Sequence, residues 1–480
     1  MTREERRHHP VLSTFGLGGT QVVFSLFAGQ AVLHLKAFGL NPLEIAITLL
    51  FGPICGTVFP PYFGSWSDRC QSSWGRRRPF IFWGTAAIAV CMLSLAWADA
   101  SAGALLPSTA APGTARTVLV LLSMFLTLAV FVAVQAVQVG LRAMLTDDAT
   151  PLRQAKANAW ASRHVTFSGF LAYFAAYLGS SREDNGSIGS TVFARTSIFT
   201  TIYLAITILI TCLYAVDPEM RTFDAPKRQS VVNIRLIRRV LTGTSSQIRA
   251  IYIVQFFSWL GWFPLLFYTV PYVNSLDESQ DHPVANNLAA LTPLLYSAVS
   301  IFVTFWWSSQ SSDDGASFRI SDDFALTDRN IWIGSHCIFG TAMIGTFFVT
   351  SPSGNVLLFS MVGISWAVTA RVPYSLLGQE LSRGSSRWSD DAAEASDHQG
   401  LIYGLHNLAI CLPQILVMAL MGLAWLFMPT NDGVSGVVWF LRLGGLSAFA
   451  AAYAATGLNT QPVAEKDCLS SRRLGVDRNS

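Results

Sequence analysis

Twelve stretches of this chain are each apolar for about the length of a bilayer crossing. They lie near 12–35, 43–65, 79–98, 117–142, 158–180, 194–215, 248–273, 287–308, 330–350, 354–378, 399–428 and 433–457. A helix needs roughly 20 such residues to cross the hydrocarbon. Backbone polar groups inside lipid are satisfied only within helices or closed barrels. The pattern therefore predicts an all-α integral membrane protein of 12 transmembrane helices. Composition agrees: 51% of residues are hydrophobic and 13% charged, against about 25% charged in soluble domains. A net charge of +3 gives no reason to expect a nucleic-acid partner. Seven scattered cysteines without a C-x-x-C pair point to neither a disulfide framework nor a metal site. The first run, from Val11, is too long for the apolar core of a cleaved signal and reads as a retained span.

The longest basic connection, 217–247, divides the runs six and six. The expected organisation is a half over 1–216, a cytoplasmic linker over 217–247, a second half over 248–457 and a cytoplasmic tail over 458–480. Two six-helix halves of this kind place a substrate site between them at the midplane. Orientation follows from charge. Of the 32 Lys and Arg, 24 fall on the side of the N-terminus and 4 on the opposite side, which puts both termini inside. The only N-x-[S/T] acceptor, at Asn185, falls in an outside loop.

Between spans two and three runs Gly64-Ser-Trp-Ser-Asp68-Arg69-Cys-Gln-Ser-Ser-Trp-Gly75-Arg76-Arg77-Arg78-Pro79-Phe80-Ile81. Arginines at a cytoplasmic helix start anchor a loop at the membrane surface, and they also pair with carboxylates or helix C-termini. A topogenic cluster and a gating loop are both open on these residues alone. The ordering resembles the G-x-x-x-D-R…G-R-R loop of the major facilitator superfamily. The longer insert and Pro-Phe-Ile ending are similar to the sucrose-transporter branch, the glycoside–pentoside–hexuronide:cation symporters. Further strings resemble fungal members of that branch. They are Gln138-Val-Gly-Leu-Arg142, Ala157-Asn158-Ala-Trp160-Ala-Ser-Arg163, Gln255-Phe-Phe-Ser-Trp259-Leu-Gly-Trp262, Val372-Pro373-Tyr374 and Gly404-Leu-His406-Asn407. The resemblance implies the two-half transporter fold, a sugar or glycoside substrate and proton drive.

Several residues are candidates for substrate binding. Arg142 lies late in span four, where a charge costs about 2.5–3.5 kcal/mol to insert, so it either snorkels or has a role in a cavity. Arg371 is about 17 residues into span ten, the half-to-half counterpart of span four. In span seven, Phe256, Trp259, Trp262, Phe263 and Phe267 form a stripe at helical spacing, which either packs on neighbours or lipid or stacks on sugar rings, with Gln255 and Asn407 to fix hydroxyls. Of the histidines in or near spans (His34, His336 and His406), His406 on the matched span-eleven string is the best candidate. A lone intramembrane histidine is more often satisfied by a helix carbonyl.

Carboxylate-coupled symport needs a buried acid that titrates during the cycle. The resemblance implies one in span four, where this chain has Phe131, and one in span one, where it has Phe27. An Arg-x-Gly-Ser expected at the entrance to span eight is Asn287-Leu-Ala289-Ala290. With no acid deep in any run, the remaining proton-coupling candidates are Asp147 at the rim and His406, and weak or absent proton coupling is expected. The sequence reading is a carrier for a sugar, glycoside or similar polar molecule, acting by alternating access in the plasma membrane or, alternatively, a vacuolar or other endomembrane. The alternatives are a carrier or exporter of a fungal secondary metabolite and a non-transporting sensor. No cofactor, metal or enzymatic constellation is expected. The partners are a small-molecule substrate, possible protons and the lipid bilayer.

Overall fold

The computed structural model describes residues 10–107, 111–147, 151–180, 188–215, 244–276, 283–310, 317–321, 324–384, 392–427 and 435–459. Twelve long helical elements follow one another. In the first half they are α1 (Phe15–Ala37), α2 (Pro42–Asp68), α3 (Arg78–Ala96), α4 (Pro112–Asp147), α5 (Pro151–Ser180) and α6 (Ile188–Tyr214). In the second they are α7 (Ser246–Ser275), α8 (Pro283–Gln310), α9 (Asp328–Gly345), the segmented α10 (Pro352–Ser360, Val362–Thr369 and Val372–Gly384), α11 (Ala392–Phe427) and α12 (Ser435–Thr456). A small antiparallel hairpin, β1 (Ser317–Ser321) with β2 (Phe324–Thr327), precedes α9 and is the departure from an all-helical chain.

Among the described residues, ten helices are long and apolar enough to cross a membrane. α5 and α9 fall short of that apolarity. α9 has 18 residues and opens on Asp328 and Arg329, and α5 carries Arg153, Lys156 and Arg163. Helix starts follow local chemistry. Asn41 and Glu44 form a reciprocal capping box ahead of α2, and Ser245, Thr327 and Ser351 cap α7, α9 and α10 through their hydroxyls. Prolines 53, 60 and 61 in α2, 264 and 271 in α7, 293 in α8 and 413 in α11 remove ladder bonds, which a bundle tolerates where neighbours restore the polar contacts.

Within the first half α1 packs on α5 and α6, and α3 on α4. Within the second, α12 packs on α7 and α9. Between halves the contacts run α2 to α11, α5 to α8 and α1 to α7. Toward the outer end these contacts are dense. Phe263, Phe267 and Tyr268 of α7 and Met418 and Met421 of α11 belong to the same apolar core as α1 and α4, and Ser180 donates to Asn287 at 3.4 Å. Toward the inner end Tyr62, Arg142, Tyr403 and Asn407 are exposed. Bare aromatic and aliphatic side chains such as Phe348, Phe427 and Tyr453 clothe the rim, as helices that face lipid require.

Candidate functional site

At the midplane a polar cleft lies between the halves. Gln21 and Ser25 of α1 and Thr166, Gly169 and Tyr173 of α5 face Tyr296, Ser297 and Ser300 of α8 and Trp366 of α10. None of the ten lining residues is charged. The open space between these residues is small, with room for about one water. Tyr173 of the first half and Tyr296 of the second face each other, their rings 5.8 Å apart. Ser300 Oγ is buried without a hydrogen-bond partner. Trp366 is held edge-on by Trp262 at 5.0 Å and by Trp259 and Tyr296 at 6.4 Å. Sequence reasoning missed Gln21, Tyr173, Tyr296 and Trp366. The available signal was a polar or aromatic residue at mid-span, which without a neighbour to face is common.

The predicted residues distribute around this cleft. Trp262 is 1% exposed, wedged between Phe339 and Trp366, so it supports the cleft from behind rather than lining it; Trp259 is half-buried beside the same ring. On the inner side, the Gln255 amide donates to His406 Nε2 at 3.0 Å, which brings α7 and α11 together. Tyr374 packs edge-on to the His406 ring at 4.9 Å, and the Arg142 charge on α4 reaches His406 across the halves. Arg142 itself is exposed at the inner opening. Asn407 donates to the Gly56 carbonyl of α2 at 3.0 Å and so spans the halves. His34 donates to the Leu95 carbonyl at 3.0 Å and stacks on Phe193 in the packed core, while its Nδ1 is buried without a hydrogen-bond partner.

Arg371 sits in a break of α10 between Thr369 and Val372, over the Trp307 ring at 4.9 Å. Pro373 explains the break, because it offers no N–H and its ring crowds the carbonyl four residues earlier. Close to Arg371 lies Asp328, 8% exposed, whose carboxylate accepts a hydrogen bond from Ser375 at 3.1 Å. Asp328 lies just outside the apolar run read from the sequence, at the first residue of α9, so its burial was not visible there. The apolar run started two residues after Asp328, and burial by α10 is a tertiary effect.

The two positions where the family resemblance calls for acids touch each other. The Phe27 and Phe131 rings are 5.0 Å apart, 1% and 2% exposed, and Phe193 closes the cluster. The acids that the resemblance implies at these two positions are absent, and the pair is apolar. In the loop after α2, Asp68 and the buried Arg77 form an ion pair at 2.6 Å, and Arg77 also donates to Ser67. Arg78 donates to the Ala215 carbonyl at the end of α6 at 3.2 Å, a cation on a helix C-terminus. Gly75 has φ +107°, a conformation that explains glycine at this place in the motif. Arg69 is exposed and Arg76 partly so. Asp147 ends α4 with its side chain outside the described residues, as is Asn185 entirely.

Comparison with known proteins gives consistent findings. A family profile described as "PUCC protein" matches residues 39–247. The chain is 42% identical to an MFS-type transporter cctQ of Talaromyces islandicus over 193 residues, which cover 39% of this chain and 76% of that protein. It is 24% identical to a general alpha-glucoside permease of Schizosaccharomyces pombe over 92% of this chain and 91% of the permease. Among solved structures, the inward open conformation of the xylose transporter XylE from E. coli superposes with a TM-score of 0.62 at 12% identity, covering 95% of this chain and 97% of that one.

Proposed function

The chain belongs to the major facilitator family of membrane transporters, and from that premise we propose that it carries a neutral, hydroxyl-rich molecule, a sugar or glycoside. The observation that carries the reading is the midplane cleft. It joins both halves, it offers hydroxyls, an amide and the Trp366 face, and none of its lining residues bears a charge. A sugar presents C–H faces to an aromatic ring and hydroxyls to groups such as Ser300 and Gln21. An ionic substrate would be left without a counter-charge in a dry site. The names of the alpha-glucoside permease and the xylose transporter support the same class. The halves 1–216 and 248–457, joined by 217–247, are the moving bodies of alternating access. Gln255, His406, Asn407, Arg142 and Arg371 form the inner vestibule through which substrate leaves. The plasma membrane is the proposed location, and the chain carries out transport rather than catalysis.

A second reading, a carrier of a less polar product, is favoured by the Phe27–Phe131 pair in place of acids. Proteoliposomes containing the full chain decide between them. Uptake of a disaccharide is expected, with Trp366→Ala raising the half-saturation concentration about tenfold, a loss near 1.4 kcal/mol. No disaccharide uptake together with saturable movement of an aromatic or terpenoid compound would establish the second reading instead.

A further inference from the structure

We propose that a groove between α7 and α11 holds one anionic phospholipid of the inner leaflet, its phosphate on Arg249 and an acyl chain between the helices. The inference needs only the membrane placement of these helices and is independent of the substrate. Ile253, Phe256 and Phe257 line the groove from α7, and Leu408, Ala409 and Leu412 line it from α11. Tyr252 lines it too, and its hydroxyl is taken up by the Ile402 carbonyl at 2.8 Å. The surface offered to an occupant is therefore hydrocarbon and aromatic throughout. Ile253 and Leu412 are 51% and 48% exposed, so the groove opens away from the bundle. Ala409 is the smallest of the lining residues and leaves a depression among its larger neighbours, which a chain can enter.

Other faces of the same two helices carry the interior contacts. Gln255 of α7 meets His406 of α11, and Asn407 reaches Gly56 of α2. On an α-helix Leu412 projects about 120° and Leu408 about 160° away from His406. α11 packs on α2 and α7. Its remaining face continues past the groove as Leu416, Leu420 and Leu423, each more than two-fifths exposed. In a membrane that face meets lipid. An acyl chain fills such a depression by van der Waals contact, whereas a polar occupant would lose its hydration with nothing to replace it.

Charge selects the headgroup. Arg249 lies in the first turn of α7, at the inner end of the span, and is exposed. It precedes Ile253 by four residues and Phe256 by seven, the spacing of one helix face. Four to seven residues are about 6–10 Å along the axis, so the groove begins just beneath the guanidinium, at the depth where acyl chains start. One Arg249 nitrogen donates to the Thr244 carbonyl at 2.7 Å. A guanidinium has five N–H donors, and a phosphate takes two of them in a fork. Cations at the inner surface attract anionic lipids, and a choline headgroup offsets that attraction with its own positive charge.

Native mass spectrometry of the full chain in detergent, with dioleoyl phosphatidylglycerol or dioleoyl phosphatidylcholine added, tests this without any substrate. Wild type should hold one phosphatidylglycerol about fivefold more tightly than phosphatidylcholine, the order that one arginine at an anionic surface supplies. Arg249→Gln should abolish the preference and Arg249→Lys should keep it. Ala409→Phe fills the groove and should weaken both lipids; should it fold poorly, Ala409→Leu fills part of it and should act in the same direction. Phosphatidylglycerol should also raise the melting temperature of wild type and leave that of Arg249→Gln unchanged. Arg69→Gln, at another exposed arginine of the inner side, is the control and should keep the preference. Equal retention of the two lipids by wild type, a surviving preference in Arg249→Gln, its loss in Arg69→Gln, or wild-type binding in both Ala409 variants overturns the site. Tighter retention of cholesterol than of phosphatidylglycerol, indifferent to Arg249, would give the groove to a sterol and overturn it as well. A protein that moves no sugar still yields every one of these readouts, so the site and the substrate reading fail separately.

Discussion

Gly363 is where α10 touches α8 most closely, and replacing it with alanine perturbs the cleft from behind. A Cβ there would overlap the Tyr296 carbonyl oxygen and lie 2.9 Å from Val299 Cβ and 3.0 Å from Ser300 N. None of these is the far end of a flexible side chain, so the α8 backbone has to retreat by about 1 Å, and over-packing of this kind costs about 1–3 kcal/mol. The displaced segment carries Tyr296 and Ser300, two residues of the cleft, and Trp366 lies one turn from Gly363. A loss of that order at the site corresponds to roughly 5–150-fold weaker binding. Gly445→Ala is the control. Its Cβ would sit 2.7 Å from Met343 Cβ, a tight though less severe contact between α12 and α9 away from the cleft. Thermal stability of purified protein and half-saturation of sugar uptake are the two readouts. Both variants should lose stability, and Gly363→Ala alone should bind substrate more weakly. Wild-type affinity in Gly363→Ala, or an equal loss of affinity in Gly445→Ala, would refute the placement of the site.

Four other outcomes are expected. A Cβ at Gly56 would stand 3.5 Å from Cys411 Sγ across the halves, within disulfide reach. Gly56→Cys should therefore cross-link under oxidant, hold the halves together after cleavage within 217–247, and block transport until reduced; absence of the cross-link would mean α2 and α11 are not neighbours. Asp68→Asn removes the 2.6 Å ion pair of the buried Arg77 and, like neutralising Arg76 to Arg78, should lower maximal rate at unchanged half-saturation, so a change confined to affinity would contradict a gating role. Arg142→Lys keeps the charge but loses the planar fork and should impair transport at normal surface abundance, whereas wild-type rates in Arg142→Ala would show that the arginine only snorkels. Single cysteines at Ser187 and Ser470 should label from opposite sides of the membrane, Ser187 from outside, and labelling of both from one side would remove the twelve-span topology.

What the sequence determined by itself was the number, position and order of the spans and the family of the fold. Each crossing has to satisfy its own backbone and present roughly 20 apolar residues to lipid, so the requirement is local and is written into every span separately. The motif loop was equally legible, since Asp68, Gly75 and Arg77 meet within ten residues of chain. α5 and α9 were still found because 158–180 and 330–350 are apolar runs, and only the polar helix starts before them were missed. Tertiary structure alone decided which face of each helix looks inward. The bundle interior and the lipid are both apolar, so a span shows little periodicity to tell a Trp366 that lines the cleft from a Trp262 that backs it. Gln21 and Ser300 come to line one cleft, and Phe27 meets Phe131, only after helices distant in sequence have packed. Asp328 reads as a loop-edge acid until α10 folds back over it with Ser375 and Arg371. Burial of that carboxylate is a property of two helices together, and no single stretch of chain contains it.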